Sequence, residues 1–305
     1  MKKLRIVTRP DFDGIVCAVI LFESLPITEP TKWIEPSELQ KNQVHIQKYD
    51  IIANLPYHKN CYQWFDHHYS NRITQPFEGA FEIAPSAAGV VYRYYKDKLE
   101  KDFNELIHET DRIDSADLSL DEVEYPEKYP YVLLSMTISN QKNMDEPYWN
   151  RLVDLLRTNN IHNMLEDSEV KKRCMVVVNQ NRVFKQHLLK NTVLKQHVSI
   201  TDFRTFDQAP TGNRFLVYSL FPEAVVSMKI RFDNQDKEKV IVSVGHSIFN
   251  RNCNVNAGLM LSNFEGGGHR GAGACRFHVS KADSYITKII DILLKNEDNE
   301  QIANI

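Results

Sequence analysis

Asp11-Phe12-Asp13-Gly14 places two carboxylates at i and i+2 in a turn. Carboxylates that close repel each other unless one is protonated or a cation bridges them. A divalent ion would relieve the repulsion; a solvated Asp-rich turn is the other reading of the same residues, with Gly14 letting the chain bend onward. Asp66-His67-His68 sets two imidazoles beside a carboxylate. Imidazole suits manganese, zinc or iron, and carboxylate suits hard divalent ions. The mixed set has the composition of a hydrolytic metal site, in which one histidine ligates and the other donates to a phosphate. A structural histidine pair in a loop is the plainer alternative. Asp111-Arg112-Ile113-Asp114 offers a further carboxylate, Asp111, which either completes a metal shell or is a charge at a helix end. Far along the chain comes Gly266-Gly267-Gly268-His269-Arg270-Gly271-Ala272-Gly273. Its glycines allow close backbone approach, and their N–H groups can form an anion-binding nest. His269 and Arg270 add donors for phosphate, which a merely flexible loop would not need.

These residues need elements to position them. Leu4 to Thr8 reads as a buried strand and Gly14 to Ser24 as an apolar helix. Val44 to Tyr49 reads as a second strand ending at Asp50, and Tyr62 to Phe65 as a third ending at Asp66. Pro85-Ser86 starts a helix through Val90, Val91 and Tyr94, with Ser86 as its N-cap. Strands alternating with helices predict a parallel sheet covered on both faces. Ligands bind beyond the carboxyl ends of such strands, so Asp11, Asp13, Asp50, Asp66, His67 and His68 are expected to converge there. Glu124 to Leu165 reads as mostly helical, and Ser168 to Lys195 as one long polar helix. A second α/β region follows. Arg214 to Phe221, Val225 to Phe232 and Val240 to Val244 read as strands, with a turn at Asp233-Asn234. Val255 to Phe264 reads as a helix, followed by the glycine loop, a strand from Ala274 to Val279, a helix from Ser280 to Leu294 and a frayed tail from Asn296. The expected division is an α/β, parallel-sheet catalytic domain over 1–165, a linker helix over 166–195 and a smaller α/β substrate-binding domain over 196–305.

Composition narrows the classes. The 305 residues exceed one ordinary compact core. Apolar residues at 42% and charged residues at 25% are those of a globular protein. With a formal net charge of -3 the chain cannot attract a polyanion through its global field. It must gather cations at one site or use metal ions. That charge argues against tracking along long nucleic acid, which calls for an extended basic groove. Stacking aromatics near the glycine loop would serve a nucleobase, but Phe249, Phe264 and Phe277 read as core. The five cysteines are scattered without a CxxC, the pattern of free thiols in a reducing compartment. Lys2 and Lys3 precede too short an apolar run for a signal peptide. No stretch reaches the roughly 18 apolar residues of a membrane span. A cytoplasmic location with no membrane partner is expected.

Taken in order, Asp11-x-Asp13-Gly14, the lone Asp50, Asp66-His67-His68, Asp111 and Gly266-Gly267-Gly268-His269 resemble the DHH phosphoesterase superfamily with its associated C-terminal domain. The layout is most similar to the oligoribonuclease/phosphatase (NrnA-like) and exopolyphosphatase-related branch, which Ser86-Ala87-Ala88-Gly89 and Asn254-Val255-Asn256 also match. The resemblance implies two domains with an active-site cleft between them and manganese as the usual ion, with magnesium or another divalent ion as substitute. One or two ions follow. Asp13, Asp50, His67 and Asp111 would hold one, and Asp11 with Asp50 the other. Catalysis would fall to His68, facing the scissile phosphate, with Asp66 and Asp13. Gly267, Gly268, His269 and Arg270 would grip the substrate, with Arg9 a further substrate contact. The implied activity is hydrolysis of phosphoester or phosphoanhydride bonds in a small polyanion: a short oligonucleotide, a linear or cyclic dinucleotide, a pAp-like nucleotide or polyphosphate. A short single-stranded nucleic acid and a homodimer are the further partners. Two departures stand out. Val7 occupies a position where many members carry a ligating histidine, and Arg9 one where RecJ-like nucleases carry an acid. They imply an Asp11 site that is weak, filled only with substrate, or absent. A degenerate nucleotide-binding protein is the alternative function. Inorganic pyrophosphatase, with the same core and a different second domain, is disfavoured by the GGGH string.

Overall fold

The computed structural model describes residues 3–138 and 145–300. The chain forms two compact units, residues 1–118 with 126–175, and residues 119–125 with 176–305. The short segment 119–125, inside the expected first domain, thus belongs with the second unit.

In the first unit β1 (Arg5–Thr8) leads to α1 (Phe12–Ser24). Every residue of α1 from Phe12 to Leu21 is buried. A helix apolar all round is stable only when other elements enclose it. Asp11 caps it, its side chain accepting from the Gly14 N–H at 2.8 Å. Gly14 is required there, since a Cβ would lie 2.0 Å from the Arg9 carbonyl oxygen. Next come β2 (Lys32–Trp33), α2 (Pro36–Gln40), β3 (Asp50–Ala53), β4 (Gln63–Asp66) and β5 (Gly79–Phe81). They form a five-stranded sheet in the order β2-β1-β3-β4-β5, with every pairing parallel. α3 (Ala87–Tyr95) and α4 (Asn104–Asp114) follow, then α5 (Leu120–Glu124), which lies in the second unit. α6 (Pro130–Met136), α7 (Glu146–Thr158) and α8 (Ile161–Leu165) complete the helical part of the first unit, apart from the first residues of the next helix.

The second strand corrects the sequence reading. Residues 44–49 form no strand, and β3 begins at Asp50. A strand with neighbours on both sides needs apolar residues on both faces. Asp50-Ile51-Ile52-Ala53 is buried throughout, whereas Val44-His45-Ile46-Gln47-Lys48 buries only Ile46. Asp50 therefore stands at the amino end of β3, opposite Arg5 at the start of β1. The guanidinium donates to both carboxylate oxygens, Nε at 2.8 Å and a terminal nitrogen at 2.6 Å, and the Gln47 N–H adds a third bond at 2.7 Å. At the carboxyl end of β3 stands Asn54, with a left-handed φ of 56°.

In the second unit, α9 (Ser168–Asn191), which starts in the first, leads to β6 (Thr192–Lys195), β7 (Val198–Asp202) and α10 (Leu216–Leu220). β8 (Val226–Phe232), β9 (Lys239–His246), α11 (Ala257–Ser262), β10 (Gly266–His269), β11 (Ala272–His278) and α12 (Ala282–Lys295) follow. The six strands run β10-β11-β9-β8-β7-β6, antiparallel except for β7 with β8. Val240, Val242 and Val244 alternate inward on β9. Such alternation fixes which face is covered and thus the register. Arg214 to Phe221, read as a strand, contains α10 instead; a short apolar run carries no periodicity that separates the two. The glycine string is a hairpin, β10–β11, rather than a loop. The tail from Asn296 is fastened as far as Glu300; residues 139–144 and 301–305, parts of the helical and frayed readings, lie outside the described residues. Among the described residues no helix is long and apolar enough to cross a membrane, and all five cysteines are free thiols.

Arg5→Ala leaves a fully buried carboxylate without its cation. The expected cost is about 3–5 kcal/mol of unfolding free energy in urea titration. Divalent-cation affinity of the folded protein should stay unchanged. Lost cation affinity with intact stability would return Asp50 to a metal shell.

Candidate metal and phosphate site

β1, β3 and β4 lie side by side and point the same way, so Thr8, Ala53 and Asp66 bring the chain out at one sheet end. Asp11 and Asp13 follow β1, Asn54 follows β3, and His67 and His68 follow β4. Asp13 is buried and accepts from the Ala87 and Ala88 N–H groups at 2.9 and 2.7 Å. These amides open α3, so Asp13 sits on a helix amino end, where negative charge is stabilised. Asp11 accepts from Asn54 Nδ2 at 2.9 Å.

His67 carries the clearest sign of a ligand. Its Nδ1 lies 2.9 Å from the Ala84 carbonyl oxygen, which makes Nδ1 the protonated donor. Among the described residues its Nε2 is buried with no hydrogen-bond partner. That nitrogen faces Asp13 at 3.8 Å and Asp114 at 3.5 Å. One oxygen from each carboxylate and the imidazole nitrogen all lie within 4.8 Å of one another. A backbone carbonyl holding the far nitrogen while the near lone pair meets carboxylates is the arrangement of a metal-binding histidine. Asp13, His67 and Asp114 therefore fit a divalent cation. His68 points its Nδ1 at Asp66, 2.8 Å away. Asp66 is buried and also accepts from the His67 N–H at 2.9 Å and from Asn71 Nδ2 at 2.6 Å. Its oxygens are committed to bracing the histidine turn.

The structure gathers Asp11, Asp13, Asp66, His67 and His68, and leaves two expected ligands outside. Asp50 is at the other end of its strand, on Arg5. Asp111 accepts from Ser86 Oγ at 2.5 Å, and Ser86 Oγ accepts from the Gly89 N–H at 2.9 Å. Asp111 thus secures the start of α3, while Asp114 faces His67. The Asp111-Arg112-Ile113-Asp114 string held the signal: residues three apart share a helix face. Asn54 had none, because its place depends on where β3 begins. Arg9 lies with its Nε 3.3 Å from Asp11 and 3.5 Å from Glu35. Val7 is wholly buried in β1 and cannot ligate.

Burial and mutual repulsion set the protonation of this end. Burial lifts the Asp11 carboxyl to about 6, opposed by Arg9 and reinforced by Asp114. Burial, then Asp114 and Asp11, push Asp13 well above the usual carboxylate range despite its two backbone donors. Burial lowers the His67 pKa. The hydrogen bond to Asp66 raises that of His68.

In the second unit, Arg270 forms an ion pair with Glu300, whose Oε1 also accepts from Asn256 Nδ2 at 2.9 Å. An anionic group therefore already rests on this guanidinium. His269 is exposed at the end of β10. A Cβ built at Gly267 would meet nothing within 4 Å, so no neighbouring group demands glycine there and the backbone stays open to a ligand.

No family model matches the chain, and no curated protein matches it. Solved structures do. A pGpG-specific phosphodiesterase, PggH from Vibrio cholerae, is 30% identical over 97% of this chain and 100% of its own, with a TM-score of 0.85. An exopolyphosphatase-related protein from Bacteroides fragilis (12% identity, 96% and 94% covered, TM-score 0.53) shares the fold. So does RecJ from Thermus thermophilus in complex with Mn2+ (12% identity, 97% and 53% covered, TM-score 0.59). A mixed α/β chain with a five-stranded parallel sheet, a second sheet unit and a DHH turn defines the class. The chain belongs to the DHH superfamily.

Because the folded pKa of Asp11 is raised, its contribution to stability is full below about 3.8 and is lost as pH rises through about 6. Metal-free protein should therefore lose thermal midpoint between pH 5 and pH 7.5, less so in Asp11→Asn. Adding a divalent cation at pH 7.5 should recover the loss. A pH slope identical in Asp11→Asn would remove Asp11 as its source.

Proposed function

We propose that this chain is a divalent-cation-dependent phosphodiesterase that hydrolyses linear dinucleotides or comparably short oligonucleotides. One observation carries the reading: the buried His67 Nε2, without a hydrogen-bond partner among the described residues, facing Asp13 and Asp114 at the carboxyl end of the parallel sheet. The similarity to a pGpG-specific phosphodiesterase along the whole chain supports the substrate class. The net charge of -3 agrees, since a short polyanion needs a local site and not an extended basic surface. Asp13, His67 and Asp114 would hold the cation, with manganese proposed and magnesium the substitute. When bound it supplies a Lewis acid that polarises a phosphoryl oxygen and acidifies water.

The side chains around it divide the remaining work. His68, whose hydrogen bond to Asp66 raises its proton affinity, would offer an Nε2–H donor to a phosphoryl oxygen as charge builds there. Asp66 acts by positioning, through His68. The α3 amides keep Asp13 in place. Arg270, His269 and the glycine backbone of Gly267 and Gly268 in the second unit, open at Gly267, would grip a further phosphate. Arg270 can do so with two parallel donors. The cation count we assign is one, for four reasons read at the site. Val7 is core, Asp50 pairs with Arg5, β3 leads into neutral Asn54, and Arg9 is already beside Asp11.

Purified protein with manganese should be assayed on pGpG, cyclic di-GMP, pAp and polyphosphate, with pGpG expected to be cleaved. His67→Ala and Asp114→Ala should each lower kcat by about a hundredfold or more, the scale of removing a strong electrostatic stabiliser. Turnover undiminished in either variant would sink the site assignment. Binding of pGpG with no turnover would make the chain a nucleotide-binding protein of the same fold.

Calorimetric titration gives a separate check. Wild type should take up one manganese ion per chain without substrate, and Asn54→Asp, which places a carboxylate just after β3, should take up two. Two ions in wild type would mean that some other group completes a second site.

A further inference from the structure

Among the described residues up to 118, the most exposed large apolar side chains are Tyr69, 76% exposed, and Ile83, 67% exposed. Isolated apolar side chains on a surface are ordinary. These two are not scattered. Tyr69 directly follows His68, and Ile83 directly precedes Ala84, whose carbonyl oxygen holds His67 Nδ1 at 2.9 Å. β4 and β5 are adjacent and parallel, with Asp66 opposite Phe81. Tyr69 and Ile83 therefore leave the sheet at the same end, one on each of the segments that carry and brace the histidine pair.

The turn bearing Tyr69 is held in place. Asn71 donates to Asp66 at 2.6 Å, the Asn71 N–H to the His68 carbonyl at 2.9 Å, and the Arg72 N–H to the Tyr69 carbonyl at 3.2 Å. Its backbone is thus tied to the residue that orients His68. Yet the Tyr69 side chain makes no hydrogen bond or ring contact among the described residues. By contrast, Tyr49, Tyr57, Tyr62, Tyr94 and Tyr95 each pack against another ring. A fixed backbone with an unengaged aromatic ring beside the histidine pair is a preorganised surface for a flat ligand.

Resting on the phosphodiesterase reading above, we infer that Tyr69, with Ile83 as the apolar wall beside it, is the platform on which a nucleobase of the substrate stacks. A nucleotide whose phosphate is held by the His67-His68 turn must carry its base close by. Every base presents a flat π face that an aromatic ring can accept without reading sequence. Tyrosine orders only two side-chain torsions on binding, so little conformational entropy opposes the contact. This assigns the base-recognition surface to the metal-binding unit, in addition to whatever phosphate contacts the glycine hairpin makes.

The test compares wild type, Tyr69→Ala and Tyr69→Phe on two substrates: pGpG, and an abasic dinucleotide with a 5′-phosphate and tetrahydrofuran in place of each nucleoside. Tyr69→Ala should raise KM for pGpG roughly tenfold or more, the scale of one lost base–aromatic stack. Tyr69→Phe, which keeps the ring, should stay within about threefold of wild type on the same scale. On the abasic substrate the three proteins should share one KM, a result that a merely structural role for the turn would not produce. An unchanged KM for pGpG in Tyr69→Ala overturns the inference and leaves the phosphodiesterase reading standing. An equal rise on both substrates also overturns it, by showing that the turn, not the base contact, was lost. If wild type cleaves neither substrate, the phosphodiesterase reading fails and the inference falls with it.

Discussion

Repulsion among acids drawn together at one end of a parallel sheet is the constraint on which the first unit depends. Burial raises the proton affinity of Asp11 and Asp13, and the charge of Asp114 adds to it at both. The sheet creates the problem by directing β1, β3 and β4 the same way. The fixed cation beside them, Arg9, lies against Asp11 and Glu35 rather than Asp13. A divalent ion resolves such a cluster with the fewest rearrangements, because it needs oxygen and imidazole donors that are already in place.

Much of the surrounding structure holds that arrangement still. The α3 amino end gives Asp13 two amide donors, and Ser86 caps the same helix while donating to Asp111. Asp66 gives its oxygens to four donors around the histidine turn. In both places a buried acid is satisfied by hydrogen bonds from groups that must not move if the site is to work. Buried polar networks of this kind are costly when incomplete, which couples folding of the unit to the geometry of its site. The Arg5–Asp50 pair satisfies a buried acid in the same way at the opposite sheet end.

What the sequence by itself determined was local. Asp11 followed by Gly14 makes a capped turn into a helix, Ser86 caps another, and alternating strands and helices make a parallel sheet; each depends on residues a few positions apart. The Asp66-His67-His68 turn and the glycine string were legible for the same reason, their residues being contiguous. The tertiary structure decided what depends on partners distant in the chain. Whether Asp50 ends one strand or begins the next turned on which segment could be covered on both faces, and that exchanged a carboxylate for Asn54 at the site. Which acid of α4 faces His67 depended on the helix's rotation against α3, which gave Asp111 to Ser86 and left Asp114 for the imidazole. The pairing of Glu300 with Arg270 joins residues thirty positions apart through the tail's hydrogen bonds to Asn254 and Asn256. In each case burial and charge pairing across the fold chose between arrangements that the local pattern left equal in energy.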